Sequence, residues 1–346
     1  MKIPKDLKWK STGDTLGQGG QAQVYIVKDE SKDSSRLYAL KALRNNGSEQ
    51  AYKRFYREIC AVKELDHPNI IKIFDHSDPN SDFHFYVMEY VEGAKALDKL
   101  IFSNENPFYN DPCKALKLFE QICVAIFECE RSKSSIVHRD LCPSNILFLP
   151  DSTIKIIDFG VCQIEDEIPV TLTDEAVGTV NYMAPECESG AVENIRIGAD
   201  LYSAGKILWS AITGARAFSR EKPVFTTKSM SEIFPDNPSA WHLFHIFEKT
   251  IRHDWRNRWG TGEHAISRAK FVMQLINSGY PPLENITSRC PICGVGELNQ
   301  FQGSHMVFGN PNPRGIGAVQ CNYCGICMAI NYTLKKQNLK SRESLD

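Results

Sequence analysis

At 346 residues, with 42% hydrophobic and 24% charged residues, the chain has material for two or three compact domains with real cores, which excludes a disordered or fibrous protein. A formal net charge of −2 gives no global attraction to nucleic acid or to an anionic membrane, and no apolar run approaches the length of a bilayer span or a signal-peptide core. Twelve cysteines, several single in predicted helices and five crowded into the tail, point to reduced thiols and a metal site rather than a disulfide framework, and so to a cytoplasmic chain.

The first predicted element is a pair of strands joined by a glycine-rich turn. Leu16-Gly17-Gln18-Gly19-Gly20-Gln21-Ala22-Gln23-Val24 leads into an apolar, β-branched run ending at Val27. Glycines in such a turn let the backbone approach phosphate oxygens with no Cβ in the way. Most glycine-rich hairpins bind nothing, so the turn gains meaning only from its company. Residues 38–43 read as a second strand in which Lys41 is flanked by apolar side chains. The spacing of Phe55, Ile59, Val62 and Leu65 predicts an amphipathic helix that sets Glu58 beside the inward stripe, where an acid can meet Lys41. That helix ends before His67-Pro68-Asn69, because proline disfavours helical geometry in the residue preceding it. Residues 83–88 form an aromatic strand that exits through Glu89-Tyr90-Val91-Glu92-Gly93.

Leu116, Phe119, Cys123 and Ile126 mark a long amphipathic helix that delivers the chain to His138-Arg139-Asp140-Leu141-Cys142-Pro143-Ser144-Asn145. Asp158-Phe159-Gly160 follows one short hairpin later, and Ala184-Pro185-Glu186 closes the segment. Asp140 offers a carboxylate that accepts a hydroxyl proton, while Asn145 and Asp158 offer hard oxygen ligands for Mg²⁺; together they are the parts of a phosphoryl-transfer site. Singly, Asp and Asn cap turns. Three blocks in this order are hard to reach by chance.

From about Gly17 to about Gly279 the chain resembles the eukaryotic-type (Hanks-type) serine/threonine protein kinase family. The resemblance implies an α+β, two-lobed kinase-like fold with a small β-rich N-lobe and a mainly helical C-lobe. It implies transfer of the γ-phosphate of ATP, with Mg²⁺ or Mn²⁺, to hydroxyls of a protein substrate. ATP contacts are implied at Leu16, Gly17, Gly19, Val24, Ala39, Lys41, Met88, Glu89 and Val91. Among these, Lys41 would pair with the α- and β-phosphates and be held by Glu58, Met88 would back the adenine pocket, and the backbone of residues 89–91 would bond the base. Asp140 takes the role of catalytic base, and Asn145 and Asp158 those of metal ligands. Asp200 is implied to bond the catalytic-loop backbone, Arg258 to pair with Glu186, and Thr179 to contact Asp140.

Arg139 implies a need for negative charge on the activation loop, supplied by Glu175 or Asp174, with Thr171 or Thr173 as an optional phosphorylation site. The sequence departs from the family at Ala22, where a third glycine is usual, and at Cys142, where a lysine steadies the γ-phosphate. Losing one preorganised donor at developing charge costs on the order of 3 kcal/mol, or roughly 10² to 10³ in rate. A slow kinase is therefore expected, with a nucleotide-binding pseudokinase scaffold and a small-molecule phosphotransferase as the rival readings.

Cys290-Pro291-Ile292-Cys293-Gly294 and, about thirty residues on, Cys321-Asn322-Tyr323-Cys324-Gly325 are paired CxxC knuckles. Four thiolates from Cys290, Cys293, Cys321 and Cys324 make a closed, tetrahedral, structural Zn²⁺ site of the zinc-ribbon kind. The expected organisation is an N-terminal extension at 1–12, the kinase-like domain at 13–280, a linker at 281–288, the zinc ribbon at 289–334 and a polar tail at 335–346. The ribbon is expected to meet a protein partner. Neither nucleic acid nor membrane is.

Overall fold

The structure is a computed structural model that describes residues 2–18, 22–31, 35–43, 52, 56, 59–60, 62–159, 181–188, 196–218, 227–277, 298–300, 316–321 and 327–331. The chain divides into two compact units, Met1–Pro282 and Leu283–Asp346.

The first unit opens with an antiparallel sheet ordered β1-β2-β3-β5-β4, built from β1 (Trp9–Gln18), β2 (Ala22–Asp29), β3 (Leu37–Leu43), β4 (Ile73–His76) and β5 (Phe85–Glu89). Successive side chains in a strand point to opposite faces. On one face Trp9, Tyr25, Val27, Tyr38, Leu40, Ala42, Phe85 and Val87 pack into a single buried cluster. The Trp9 indole meets Tyr38 edge-on at 5.1 Å and donates to Asp75 Oδ2 at 2.9 Å, so its one polar atom is satisfied. The alternation assigns Val24, Ile26, Ala39, Lys41, Tyr86 and Met88 to the other face. Register sets Lys41 opposite Val24 on one side and Tyr86 on the other, and Ala39 opposite Ile26 and Met88. Between β3 and β4, Ile59, Val62 and Leu65 of the expected apolar stripe are buried, as is Tyr56, while Phe55 lies outside the described residues.

The rest of this unit is mainly helical. A small antiparallel sheet joins β6 (Lys95–Ala96), β7 (Ile146–Phe148) and β8 (Ile154–Ile156), and α1 (Leu97–Ile101) follows β6 directly. Helix α2 (Pro112–Arg131) starts where Asp111 accepts from the Lys114 N–H at 3.0 Å with Pro112 preset for helix, a cap that contributes about 1 kcal/mol. Leu116, Phe119, Cys123 and Ile126 all lie on its buried stripe. After α3 (Pro185–Glu188) comes α4 (Gly198–Thr213), buried at nearly every position and so a core helix rather than an amphipathic one. It stops at Gly214, whose φ of 66° is a left-handed cap that side chains resist. The short helices α5 (Thr227–Ile233), α6 (Pro238–Trp241) and α7 (Phe244–Thr250) lead to α8 (Gly262–Asn277). Helix α8 packs against α2 so closely that a Cβ at Gly262 would lie 2.8 Å from Phe127 Cβ and 3.0 Å from its backbone.

The second unit contains an antiparallel sheet ordered β11-β10-β9, from β9 (Leu298–Gln300), β10 (Ile316–Cys321) and β11 (Cys327–Asn331). Among the described residues, no helix is long and apolar enough to cross a membrane.

Candidate active site

The segment at 138–145 is shaped by the buried carboxylate of Asp200 at the start of α4. Its Oδ2 accepts the His138 N–H at 2.7 Å and its Oδ1 accepts the Arg139 N–H at 2.9 Å. This clamp matters because Arg139 has φ of 67°, a left-handed conformation that costs a non-glycine residue about 1–3 kcal/mol and persists only where surroundings impose it. The His138 Nε2–H donates to the Ile157 carbonyl at 2.9 Å, and its ring lies 4.7 Å from that of Phe159. The Ile157 N–H donates in turn to the Asn145 carbonyl at 2.9 Å. These bonds lock the loop that carries Asp140 and Asn145 to the strand exit that carries Asp158.

Within the loop, the Asn145 side-chain amide donates to the Asp140 carbonyl at 2.8 Å and to Asp140 Oδ2 at 3.0 Å. That spends the NH₂ group on Asp140 and leaves the amide oxygen as the acceptor available to a cation. Burial pushes the Asp140 carboxyl above its ordinary range; His138 and the Asn145 bond pull it back, and the neighbouring Asp158 charge adds to the rise. A carboxylate raised in this way is a better proton acceptor than a surface aspartate.

Asp158 also sits in the left-handed region, with φ of 59°. Its Oδ1 takes two donors: the Lys41 ammonium at 2.7 Å and the Tyr86 hydroxyl at 2.9 Å. Burial alone would raise this carboxyl, but the Lys41 charge and hydrogen bond, with the Tyr86 hydroxyl behind them, hold it below the usual carboxylate range. Asp158 is therefore the more acidic carboxyl of the two and Asp140 the more basic. The placement of β8 beneath the sheet comes from backbone bonds of Ile156 to Asn69 and Ile71 at 2.9 and 3.0 Å, joined by the Asn69 amide on the Ile154 carbonyl at 3.0 Å.

The structure thus brings Lys41, Asp140, Asn145 and Asp158 into one cleft. Met88 and Ala39, opposite each other in register, belong to the sheet face that carries Lys41, and Val24 joins them from β2. Glu89 is tied by its N–H to the Lys72 carbonyl and by its carboxylate to Lys155, both at 2.9 Å, and Val91 follows at the strand exit. Leu16 lies where the β1–β2 register shifts between Thr15 and Gly17, and is 51% exposed. Gly17 faces Val24 in that register. Gly19, Glu58, Thr171, Thr173, Asp174, Glu175 and Thr179 lie outside the described residues, so the expected Lys41–Glu58 pair and the activation-loop charges do too. Sequence reasoning missed Tyr86; the signal that marks it is its two-residue spacing from Met88, which puts both on one face of β5.

Cys142 is 2% exposed, with Sγ 3.1 Å from Ser144 Oγ. Burial first, and then the Asp140 charge, push its thiol up to about 12. It supplies no cation. Arg258 donates all five of its guanidinium N–H groups: two to Glu186 at 2.6 and 3.0 Å, the others to the carbonyls of Arg252, Gly198 and His253. Tyr182 is anchored on α4, its hydroxyl 2.8 Å from Ser210 Oγ and its carbonyl accepting from Ser203 Oγ at 2.9 Å.

Among the described residues no group of three or more His, Cys, Asp or Glu is arranged to hold a metal. Cys290, Cys293 and Cys324 lie outside those residues, and Cys321 is the last residue of β10. For the hard cation expected at the cleft, the donor set fits: a carboxylate and an amide oxygen, with an ammonium alongside for phosphate, suit Mg²⁺ or Mn²⁺ better than a soft metal.

Residues 11–264 match the family described as protein kinase domain. The chain is 35% identical over 227 residues to the serine/threonine-protein kinase PrkC of Bacillus subtilis (strain 168), an overlap covering 65% of this chain and 33% of that one. It is 33% identical over 254 residues to the probable serine/threonine-protein kinase PknB of Lactococcus lactis subsp. lactis (strain IL1403), covering 70% and 39%. To the serine/threonine-protein kinase PknB of Mycobacterium leprae (strain TN) it is 30% identical over 285 residues, covering 78% and 43%. The chain thus spans well under half the length of these relatives. The crystal structure of the Mycobacterium tuberculosis PknI kinase domain superposes with a TM-score of 0.60 at 20% identity, over 77% of this chain and 96% of that one. That likeness bears out the kinase-like fold, with its β-sheet N-lobe and helical C-lobe; the tail beyond residue 264 lies outside the family match.

Proposed function

The chain belongs to the protein kinase family, and from that premise we propose that it transfers the γ-phosphate of ATP to serine and threonine hydroxyls of proteins. The observation that carries this reading is the convergence at one cleft of Lys41 on Asp158 at 2.7 Å, from elements far apart in the chain, and of Asn145 on Asp140 at 3.0 Å within one loop. Lys41, on the sheet face with Met88 and Ala39, meets the nucleotide phosphates. Asp140 orients the acceptor hydroxyl and takes its proton at a carboxylate oxygen, while the Asn145 amide keeps that carboxylate in place. Asn145 and Asp158 would hold Mg²⁺, which when bound neutralises charge on the transferring phosphate. Asp200 contributes at one remove, by imposing the loop conformation that aims Asp140.

Cys142 makes the reaction slow. A buried, neutral thiol replaces one cationic donor to the γ-phosphate, a loss of roughly 10² to 10³ in rate. The test is label transfer from γ-labelled ATP to protein by the wild-type chain and by Asp140→Asn. Transfer that falls by 10³ or more in the variant supports the reading. No transfer in either chain moves the protein to the scaffold class, and ATP consumption with a labelled metabolite moves it to the small-molecule phosphotransferases.

For the second unit the reading is a structural zinc ribbon held by Cys290, Cys293, Cys321 and Cys324. Supporting it, Cys321 is the last residue of the central strand β10, which pairs antiparallel with β11, so one thiol of a CxxC pair stands at a strand end. A closed four-thiolate site has no open coordination position, so the ribbon's role is to present a folded surface to a protein partner.

A further inference from the structure

Tyr86 is 2% exposed, and a phenol hydroxyl at that depth needs a partner. The Tyr86 hydroxyl meets Asp158 Oδ1 at 2.9 Å. The register makes this more than incidental: Tyr86 on β5 is the direct cross-strand neighbour of Lys41 on β3, and both reach the same carboxylate oxygen. Asp158 in turn holds a left-handed backbone, φ 59°, which its surroundings must impose. The two donors differ in kind. Lys41 is a flexible cation that the nucleotide phosphates also attract, so its grip on Asp158 is shared once ATP arrives. Tyr86 is a neutral donor on a rigid ring with two torsions, packed in the sheet, and holds the carboxylate without competing for phosphate.

We propose that Tyr86 is a positioning residue that fixes the Asp158 carboxylate through Oδ1, turns Oδ2 toward the divalent cation, and so sets the affinity of the site for that cation. This rests on the reading of Asp158 as a cation ligand. Partners that orient a metal-ligating group typically change metal affinity by 10- to 100-fold when removed.

The experiment is titration of the full chain with Mn²⁺, followed by electron paramagnetic resonance in the presence of a non-hydrolysable ATP analogue, for wild type, Tyr86→Phe and Asp158→Ala. Tyr86→Phe keeps the ring and removes one oxygen, and the analogue's affinity in metal-free buffer reports whether the cleft is intact. We expect Mn²⁺ to bind about 10-fold more weakly to Tyr86→Phe and not detectably to Asp158→Ala. In steady state, Tyr86→Phe is expected to raise the Mg²⁺ concentration for half-maximal rate more than it lowers kcat. If Asp158→Ala loses Mn²⁺ while Tyr86→Phe binds it as wild type does, or more tightly, the role of Tyr86 is overturned and that of Asp158 stands. A melting temperature lowered in Tyr86→Phe with unchanged Mn²⁺ affinity overturns it equally, by showing a packing role alone. Undiminished binding to Asp158→Ala removes the cation-ligand reading itself.

Discussion

Cys142 is where the catalytic loop departs from the pattern of the family it resembles. Two residues after the proposed base, it sits 2% exposed with its thiol held neutral, where the resemblance places a lysine. A lysine introduced there is too long for the space a buried thiol fills, and its ammonium is costly to bury. Its long stem must instead carry the charge outward to the cleft. Cys142→Lys is therefore expected to raise label transfer, toward the roughly 10²-fold that a missing donor is worth, with Cys142→Ser as the neutral control. Equal rates in all three chains, at equal melting temperature, would show that the cation does not limit turnover. Lys41, Asp140, Asn145 and Asp158 were legible because their chemistry is written in short local motifs. Tyr86 was not, because its partner is 72 residues away and an aromatic on a strand reads as core.

Helix α4 illustrates the same division among elements. Asp200 at its start clamps the backbone of the loop at 138–139, and Ser203 and Ser210 further along anchor Tyr182, so one buried helix positions both segments. Lys206 lies on this helix fully buried, its ammonium donating to the Phe218 carbonyl at 2.7 Å and lying 3.8 Å from the Phe218 ring centroid. Burial lowers it from 10.5 to about 8. Below pH 8 both folded and unfolded chains hold the proton, and the folded state bears the cost of a buried ammonium. Between pH 8 and 10.5 the unfolded chain holds a proton that the folded chain has released, so stability rises with pH across that window and levels off above it. Lys206→Met removes this contribution: the difference in unfolding free energy, wild type minus variant, is expected to grow from pH 8 to 10.5 in denaturant titrations. A difference that stays constant over that range rules the assignment out. Helix α2 was legible from its 3.6-residue stripe, because that signal is local, whereas α4 entered only through the role that the resemblance gives Asp200. The sheet order and the pairing of Lys41 with Tyr86 were not legible, because register is decided by side chains on another strand. The short helices α5 to α7 carry too little periodicity to announce themselves.

At the scale of the molecule, the two compact units differ in what can hold them together. Met1–Pro282 has two helices buried against each other and a sheet with a full apolar face, enough core to be stable by packing. Leu283–Asp346 is 64 residues, with three short strands among its described residues, a size at which a hydrophobic core alone rarely suffices and a structural metal commonly supplies the remainder. Its CxxC pairs were the clearest signal in the tail, yet spacing tells which thiols are candidates and not how the strands between them pair. If the four cysteines hold Zn²⁺, the free energy of binding is folding free energy for this unit and for no other. The full chain purified without chelator is then expected to carry one zinc per molecule by atomic emission. Removing it with a strong chelator should open residues 283–346 to proteolysis while the fragment corresponding to the first unit stays resistant and still binds an ATP analogue. Cys321→Ser, which removes one of four thiolates, should behave like the chelated chain at zinc concentrations that saturate the wild type. A chain without zinc that resists proteolysis throughout, or a Cys321→Ser variant that retains one zinc with unchanged affinity, would show that the tail is held by packing after all.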